Sequence, residues 1–138
     1  MFIDASAIVA ILGREPGFEE IEKHLAAIDG ALYISPLVRY EASFALARLK
    51  SGDVRPTPDL LRRAAEAVSA FVTDLEVEEM PISSEIGDRA IEASATYGKA
   101  VGHGADLNFG DCFAYACAKA LSVALLYKGN DFAETDLA

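Results

Sequence analysis

Short apolar segments alternate with segments of helical character along this chain. The apolar segments span residues 2–5, 31–34, 77–80 and 123–127, and the helical segments span 6–12, 18–30, 36–50, 59–74, 84–97 and 110–122. Ser35-Pro36 and Thr57-Pro58 predict two of the helix starts, since serine and threonine cap helices and proline suits the first helical position. Because parallel strands are joined by crossover connections, strands separated by helices favour a parallel sheet. The sequence therefore predicts an α/β fold.

The length of the chain favours one domain over residues 1–138, since a domain averages roughly 150 residues. Hydrophobic residues make up 52% of the chain, which is enough for a substantial core and argues against disorder. No long uncharged apolar run is present, so we expect no membrane span. Met1 leads directly into Phe2-Ile3-Asp4 rather than into a leader segment, which favours a cytoplasmic protein.

The net charge of −10 argues against a protein that holds nucleic acid by bulk charge alone. Much of the acidic excess lies in one stretch of the second half, with only Arg89 against it: Asp74, Glu76, Glu78, Glu79, Glu85, Asp88 and Glu92. This stretch is interpreted as a solvated helix face or as a docking surface for a basic partner.

The two cysteines do not predict a disulfide or a metal site. Cys112 and Cys117 lie five residues apart in an apolar helical segment, so they point to different sides of the helix. His24 and His103 are isolated from each other and from the cysteines. We therefore expect two reduced core cysteines and no zinc site.

Two aspartates follow predicted strands. Asp4 ends the first apolar segment, and Asp131 lies just beyond the last one. The carboxyl ends of parallel strands share one edge of a sheet, and ligands bind in the crevice outside that edge. For either aspartate taken alone, a turn or cap residue is the favoured interpretation.

Glu41 lies on the third predicted helix, on the side that carries Leu37 and Phe44, while Arg39, Ser43 and Lys50 form the predicted solvent face. A carboxylate on a core-facing stripe costs several kcal/mol unless it is compensated. One interpretation is a structural ion pair with Arg48, and the other is a metal ligand or catalytic carboxylate.

Asp111 begins the last long helix, directly after Asn108-Phe109-Gly110. A carboxylate in a first helical turn is commonly explained by capping, since it satisfies free amides and complements the helix dipole. The helix behind it carries almost nothing polar except Lys119, so it should begin deep in the structure. Its first acid would then face the crevice.

Four carboxylates at one rim would repel one another and resist ionisation. A divalent cation resolves this conflict, and a set of oxygen ligands favours Mg²⁺ or Mn²⁺. The chain has no Ser-His-Asp or Cys-His arrangement. Hydrolysis of a phosphodiester by metal-activated water is therefore the chemistry that these residue types favour.

The motifs around these acids resemble those of PIN domains, and specifically of VapC-type toxin ribonucleases. The resemblance is carried by Asp4-Ala5-Ser6-Ala7, by Glu41 within Leu-Val-Arg-Tyr-Glu-Ala, by residues 108–116 and by residues 126–132. It implies a three-layer α/β/α fold with a central parallel sheet of about four or five short strands. It also implies a Mg²⁺- or Mn²⁺-dependent endoribonuclease with a cognate antitoxin, and commonly a homodimer.

Residue by residue, the resemblance assigns the acidic quartet of the family to Asp4, Glu41, Asp111 and Asp131. Ser6 matches the hydroxyl residue that supports the first acid, although Ser6 would also suit the cap of the first helix. Thr135 or Asp136 is expected to support the site from the terminal segment.

The chain departs from close relatives in the predicted loop 99–109, where Gly104-Ala105-Asp106 replaces a segment that often has proline first and a small or basic residue last. This departure argues against a phosphate contact there and allows an outer acid instead. The other candidates to hold an RNA backbone are Arg14, Arg39, Arg48 and Lys128, with no one of them favoured.

Two other functions share these features. A regulatory module with a PIN-like fold would use the acids to hold a structural ion without catalysis. A phosphotransferase of the haloacid dehalogenase type would use the aspartate after the first strand as a nucleophile, but it needs Asp-x-Asp, and Ser6 stands at the third position here.

Overall fold

The computed structural model describes residues 1–138 and contains a sheet of four strands that pair only in parallel. The strands are β1 (Phe2–Ile3), β2 (Tyr33–Ile34), β3 (Glu78–Glu79) and β4 (Leu125–Leu126), in the spatial order β3-β2-β1-β4. Phe2 lies opposite Tyr33 on one side and Leu125 on the other. The prediction of a parallel sheet with about four strands is confirmed.

Six α-helices connect and follow the strands. They are α1 (Ala5–Gly13), α2 (Phe18–Ala26), α3 (Pro36–Ser51), α4 (Pro58–Asp74), α5 (Ser84–Tyr97) and α6 (Phe109–Leu121). Ser35, Thr57 and Ser83 cap α3, α4 and α5 through their hydroxyls, each of which accepts a hydrogen bond from a backbone amide in the first turn. The predicted helix starts at Ser35 and Thr57 are thereby confirmed.

Several elements are shorter than predicted. Each strand has two residues rather than the predicted four or five; β1 ends at Ile3 because Asp4 is already the cap of α1, and β2 ends at Ile34 as predicted but begins at Tyr33. Helix α2 ends at Ala26, before the predicted end near Gly30. The segment predicted as a loop contains a short 3₁₀ helix at Lys99–Val101.

The strand order places the helices in two layers. The chain crosses the sheet in one direction from β1 to β2 and on to β3. It then returns across β2 and β1 to form β4 at the opposite edge. Because parallel crossovers are right-handed, α1 to α4 cover one face and α5 and α6 cover the other. Within these layers α3 packs on α1 and α4, and α5 packs on α6. The three-layer α/β/α fold is confirmed. The direction in which the chain adds strands to the sheet reverses between β1 and β4.

The core is one cluster of 29 buried residues that includes β1, the inner sides of the helices and Phe132. Cys112 and Cys117 are buried and unpaired, as predicted. The acidic stretch does not form one helix face: Glu78 and Glu79 are the exposed residues of edge strand β3, where charge discourages pairing with another chain. No helix combines the length and the apolar character that crossing a bilayer would require.

Candidate functional site

Asp4 is held at the carboxyl end of β1 by its role as the N-cap of α1. Its Oδ2 accepts hydrogen bonds from the Ser6 amide at 2.9 Å and from Ser6 Oγ at 2.5 Å. Ser6 Oγ also accepts a hydrogen bond from the Lys128 amide at 3.0 Å, which ties this site to the segment after β4. The alternative that Ser6 caps α1 is wrong, because Asp4 is the cap and Ser6 lies within the first turn.

Asp111 is held by a capping box at the start of α6. Asn108 Oδ1 accepts a hydrogen bond from the Asp111 amide at 3.0 Å, and Asp111 Oδ2 accepts one from the Asn108 amide at 2.9 Å. Asp111 is nevertheless buried. The capping and crevice-facing interpretations of Asp4 and Asp111 therefore both describe the structure, since the caps set where each carboxylate lies.

Glu41 lies at the edge of α3 and not on its core-facing stripe. The buried stripe consists of Val38, Ala42, Ser43, Leu46 and Ala47. The prediction that Ser43 faces solvent is wrong because its Oγ donates a hydrogen bond to the Arg39 carbonyl at 2.7 Å, which satisfies the hydroxyl inside the protein. Phe44 is exposed instead, and Glu41 is half-buried beside it.

The structural ion pair between Glu41 and Arg48 is also absent. The Arg48 guanidinium lies 5.8 Å from the centroid of the Phe44 ring, and Arg48 takes part in none of the ion pairs of the chain.

Gly110 allows α3 and α6 to bring Glu41 beside Asp111. A Cβ at position 110 would overlap the Glu41 carboxylate, whose carbon would lie only 2.5 Å from it. The bare Cα therefore lets the carboxylate lie against the first turn of α6. The sequence analysis used Gly110 only as a helix boundary, and no pattern in one chain reveals a contact 69 positions away.

Asp131 lies in the exposed turn region after β4, and the neighbouring Phe132 is buried in the core. The predicted support from the terminal segment is not found. Thr135 Oγ1 donates to the Phe132 carbonyl at 2.8 Å and accepts from the Leu137 amide at 3.1 Å, so this hydroxyl closes the terminal turn. Asp136 binds Tyr115 and Lys119 instead.

One cleft of about 820 Å³ at this edge of the sheet, the acidic cleft, contains all four predicted acids among its lining residues. Of the four basic candidates, Arg48 and Lys128 line it, whereas Arg14 and Arg39 do not. Lys128 Nζ is paired with Glu15 Oε2 at 2.8 Å, so Glu15 adds a fifth carboxylate that the sequence analysis missed. Glu15 lies in a segment that the sequence predicts as a turn, and nothing in that segment indicates that its carboxylate faces the cleft.

The four acids share the cleft without forming a complete ligand set. No three histidine, cysteine, aspartate or glutamate side chains are grouped closely enough to hold one metal ion. The prediction that the four acids meet at one edge of the sheet is therefore confirmed, because all of them line the cleft. That they bind a cation there stays a prediction.

Burial and mutual repulsion raise the pKa values of three carboxyl groups of the cleft, those of Asp4, Glu41 and Asp111. Desolvation raises the pKa of Asp4, and the charge of Asp131 adds to the effect despite the bonds from Ser6. Desolvation, followed by the charges of Asp4 and Asp111, raises the pKa of Glu41 to about 7. Desolvation also raises the pKa of Asp111 to about 6, with contributions from Asp4 and Asp131.

The Gly104-Ala105-Asp106 segment contributes acid rather than a cation to this region. Asp106 adopts a left-handed backbone conformation with φ of 53°, and its charge helps to raise the pKa of Asp111. A Cβ at position 104 would overlap the Glu134 carboxylate. Asp106 acts on Asp111 without lining the cleft itself, which agrees with the expectation of an outer acid in this segment.

The fold and the cleft together define a three-layer α/β protein with an acidic cleft at the point where the order of its strands reverses. The family model described as PIN domain matches residues 1–137. A VapC ribonuclease of Rhizobium meliloti is 52% identical over 139 residues, which cover 99% of this chain and 98% of that protein. Ribonuclease VapC30 of Mycobacterium tuberculosis is 36% identical over 143 residues, covering 100% and 96%. The chain belongs to the PIN domain family, in its VapC group.

Solved structures agree at the level of the fold. Mycobacterium tuberculosis VapC20, described as a toxin that cleaves the sarcin-ricin loop, superposes with a TM-score of 0.70 at 18% identity, covering 99% of this chain and 97% of that one. A chain of a toxin-antitoxin complex from Klebsiella pneumoniae gives a TM-score of 0.65 at 18% identity, covering 98% and 92%.

The raised pKa values predict that the folded state loses stability as the pH rises from about 5 to about 8 in EDTA. In this range the unfolded chain binds fewer protons than the folded one at Asp4, Glu41 and Asp111, so the free energy of unfolding falls. We expect Tm to fall by roughly 3–8 °C across this range. Glu41→Gln should reduce the decline, and the exposed control Glu66→Gln should not; equal slopes in all three proteins would contradict this account.

Gly110→Ala should displace the Glu41 carboxylate from its place against the first turn of α6 into solvent. The pKa of Glu41 should then fall toward its usual range, which an NMR pH titration of labelled glutamate side chains measures. Tm should not drop, because the group displaced is the end of a flexible side chain and alanine is at least as good as glycine in a helix.

Gly87→Ala in α5 is the matched control, since a Cβ there would meet no heavy atom within 4 Å. It should leave the Glu41 titration unchanged. A lower Tm of Gly110→Ala with an unchanged Glu41 titration would show that α6 moves instead of the carboxylate.

Proposed function

We propose that this protein is a Mg²⁺- or Mn²⁺-dependent endoribonuclease that acts as the toxin of a toxin-antitoxin pair. The observation that carries the proposal is the acidic cleft, which four carboxylates from separate parts of a VapC-group chain line together. The relatives reported above are named as VapC ribonucleases, and VapC20 as an RNA-cleaving toxin. RNA hydrolysis is the reaction that this combination supports best.

The side chains of the acidic cleft are of the chemical type that a hard divalent cation prefers, although they do not form a complete ligand set in this arrangement. Asp4, Glu41, Asp111 and Asp131 offer oxygen ligands only, as Mg²⁺ and Mn²⁺ prefer. The hydrogen bonds that hold Asp4 and Asp111 engage Oδ2 of each, so Oδ1 is the oxygen left for a ligand. Glu41 and Asp131 form no ion pair within the chain, and a cation would compensate their charge.

The residues of the chain have separable roles in this proposal. When bound, the cation supplies an activated water and offsets the charge of the phosphodiester. Asp4 and Asp111 hold fixed positions through their caps, and Ser6 maintains the position of Asp4 relative to the segment that carries Asp131. Gly110 keeps the Glu41 carboxylate next to Asp111. Orientation by a rigid scaffold of this kind is a large part of hydrolytic rate enhancement.

The proposed partners follow from the same cleft. A cognate antitoxin that inserts a basic side chain among these carboxylates would block the site, and the Klebsiella pneumoniae structure is described as a toxin-antitoxin complex. A homodimer also stays a prediction. Exposed apolar side chains on and near α5 and α6, including Ile91 and Phe109, are available for such a contact.

Purified protein should cleave labelled cellular RNA with Mg²⁺ or Mn²⁺ and lose this activity in EDTA. Asp4→Asn and Glu41→Gln should each lower the cleavage rate at least ~100-fold, because each removes a cation ligand. Glu66→Gln, which changes an exposed carboxylate on α4, should cleave at the wild-type rate. Gel analysis of end-labelled products measures all four proteins.

A thermal melt separates the proposal from a non-catalytic module that holds a structural ion. Mn²⁺ should raise the Tm of the wild type, because the ion binds the folded cleft and not the unfolded chain. A rise in Tm without any cleavage of RNA would favour the module, and unchanged cleavage in Asp4→Asn would overturn the catalytic assignment.

A further inference from the structure

Three side chains form a row along one side of α3, which we call the α3 ladder. Tyr40, Phe44 and Arg48 follow one another at intervals of four residues and so lie on the same side of the helix. The rings of Tyr40 and Phe44 are nearly parallel, at 5°, with centroids 6.3 Å apart. The Arg48 guanidinium lies over the Phe44 ring. The exposed fraction is 68% for Tyr40 and 39% for Phe44, so the ladder is not part of the core.

The ladder runs along a groove that begins at the carboxylates. Tyr40 directly precedes Glu41, and all three ladder residues line the acidic cleft. A second cavity of about 510 Å³ shares Phe44, Arg48 and Gly52 with that cleft and continues to Arg55. The two cavities therefore form one groove along α3.

The groove carries free positive charge in a strongly acidic protein. Arg48 and Arg55 form no ion pair, and Asp53 is the acid that lines the second cavity with them. Lys128, the other cation in the acidic cleft, is paired with Glu15. An anionic chain that enters the groove thus meets two unpaired guanidinium groups beside exposed aromatic rings.

We propose that the α3 ladder and Arg55 form a track for single-stranded RNA next to the acidic cleft. The inference rests on the proposed ribonuclease function and extends it to the class of substrate. Bases of the nucleotides that flank the cleaved phosphate stack on Tyr40 and Phe44, and Arg48 and Arg55 bind the phosphates between them. Stacking on aromatic rings requires unpaired bases, so the track selects single strands over duplexes.

Charge favours RNA over a protein partner as the occupant. An apolar protein surface that covered the rings would also bury two guanidinium groups, which needs acceptors to offset the lost hydration. A phosphate backbone supplies acceptors at every nucleotide and leaves the base faces free for the rings.

The test measures the affinity for a fluorescein-labelled RNA of twelve nucleotides by anisotropy, with Mg²⁺ and in the Asp4→Asn background, which prevents cleavage. Tyr40→Ala should weaken binding at least about fivefold, while Tyr40→Phe, which keeps the ring, should not. Arg48→Gln should weaken binding and lower the dependence of log K on log salt by about one unit, which Tyr40→Ala should not do.

Two controls lie on α4, away from the groove. Leu75→Ala removes an apolar side chain that is 39% exposed at the end of α4, and Arg62→Gln removes an exposed, unpaired arginine of the same helix. Both should bind RNA as the parent does. A probe with abasic ribose in place of the nucleosides should be bound equally by the parent and by Tyr40→Ala, because no bases are left to stack.

The outcomes separate the track from the enzyme. Unchanged RNA affinity in Tyr40→Ala and Arg48→Gln, with cleavage intact in the protein that retains Asp4, overturns the track and leaves the ribonuclease standing. If the RNA affinity of these two variants is unchanged but they bind a co-expressed antitoxin more weakly, the α3 ladder contacts a protein instead of RNA, and the track is again overturned. Equal losses on duplex and single-stranded RNA overturn the stacking. A parent that binds no RNA overturns the track, while RNA cleavage by the protein that retains Asp4 decides the ribonuclease proposal separately.

Discussion

The hydrogen bonds that begin α1 and α6 are the interactions on which the rest of this site depends. Asp4 is the N-cap of α1, and Asp111 is the partner of the N-cap Asn108 in the capping box of α6; these hydrogen bonds hold each carboxylate at the edge of the sheet where the strand order reverses. A helix start needs acceptors for its free amides, so the acids satisfy a requirement of the fold while they stay inside the protein. The same two side chains therefore serve the fold and line the acidic cleft.

That arrangement stores electrostatic repulsion in the folded state. Desolvation and neighbouring charge raise the pKa values of Asp4, Glu41 and Asp111, and no cationic side chain is paired with any of them. Two small details maintain the crowding: Ser6 binds both Asp4 and the segment after β4, and Gly110 leaves room for the Glu41 carboxylate. The proposed cation would relieve the repulsion, which is why stability and activity should respond to metal together.

The incorrect expectations share a cause, which is that a single sequence does not show where a polar group finds its partner. Ser43 was expected in solvent because serine is polar, yet a bond to its own helix backbone allows its burial. Thr135 was expected at the site, yet its hydroxyl closes the turn that carries it. β1 is shorter than its apolar segment because Asp4, which was expected to end the strand, already caps the helix that follows.

Local signals were sufficient for the α/β class, the helix starts at Ser35 and Thr57 and the buried cysteines. They also identified four acids that line one cleft, Asp4, Glu41, Asp111 and Asp131. These features rest on periodicity, capping chemistry and motifs of contiguous residues. The contact between Glu41 and Gly110, the pairing of Lys128 with Glu15 and the groove along α3 depend on how α3, α6 and the segment after β4 pack. Such contacts join residues far apart in the chain, and their distances follow from the packing of whole elements rather than from the neighbours of any one residue.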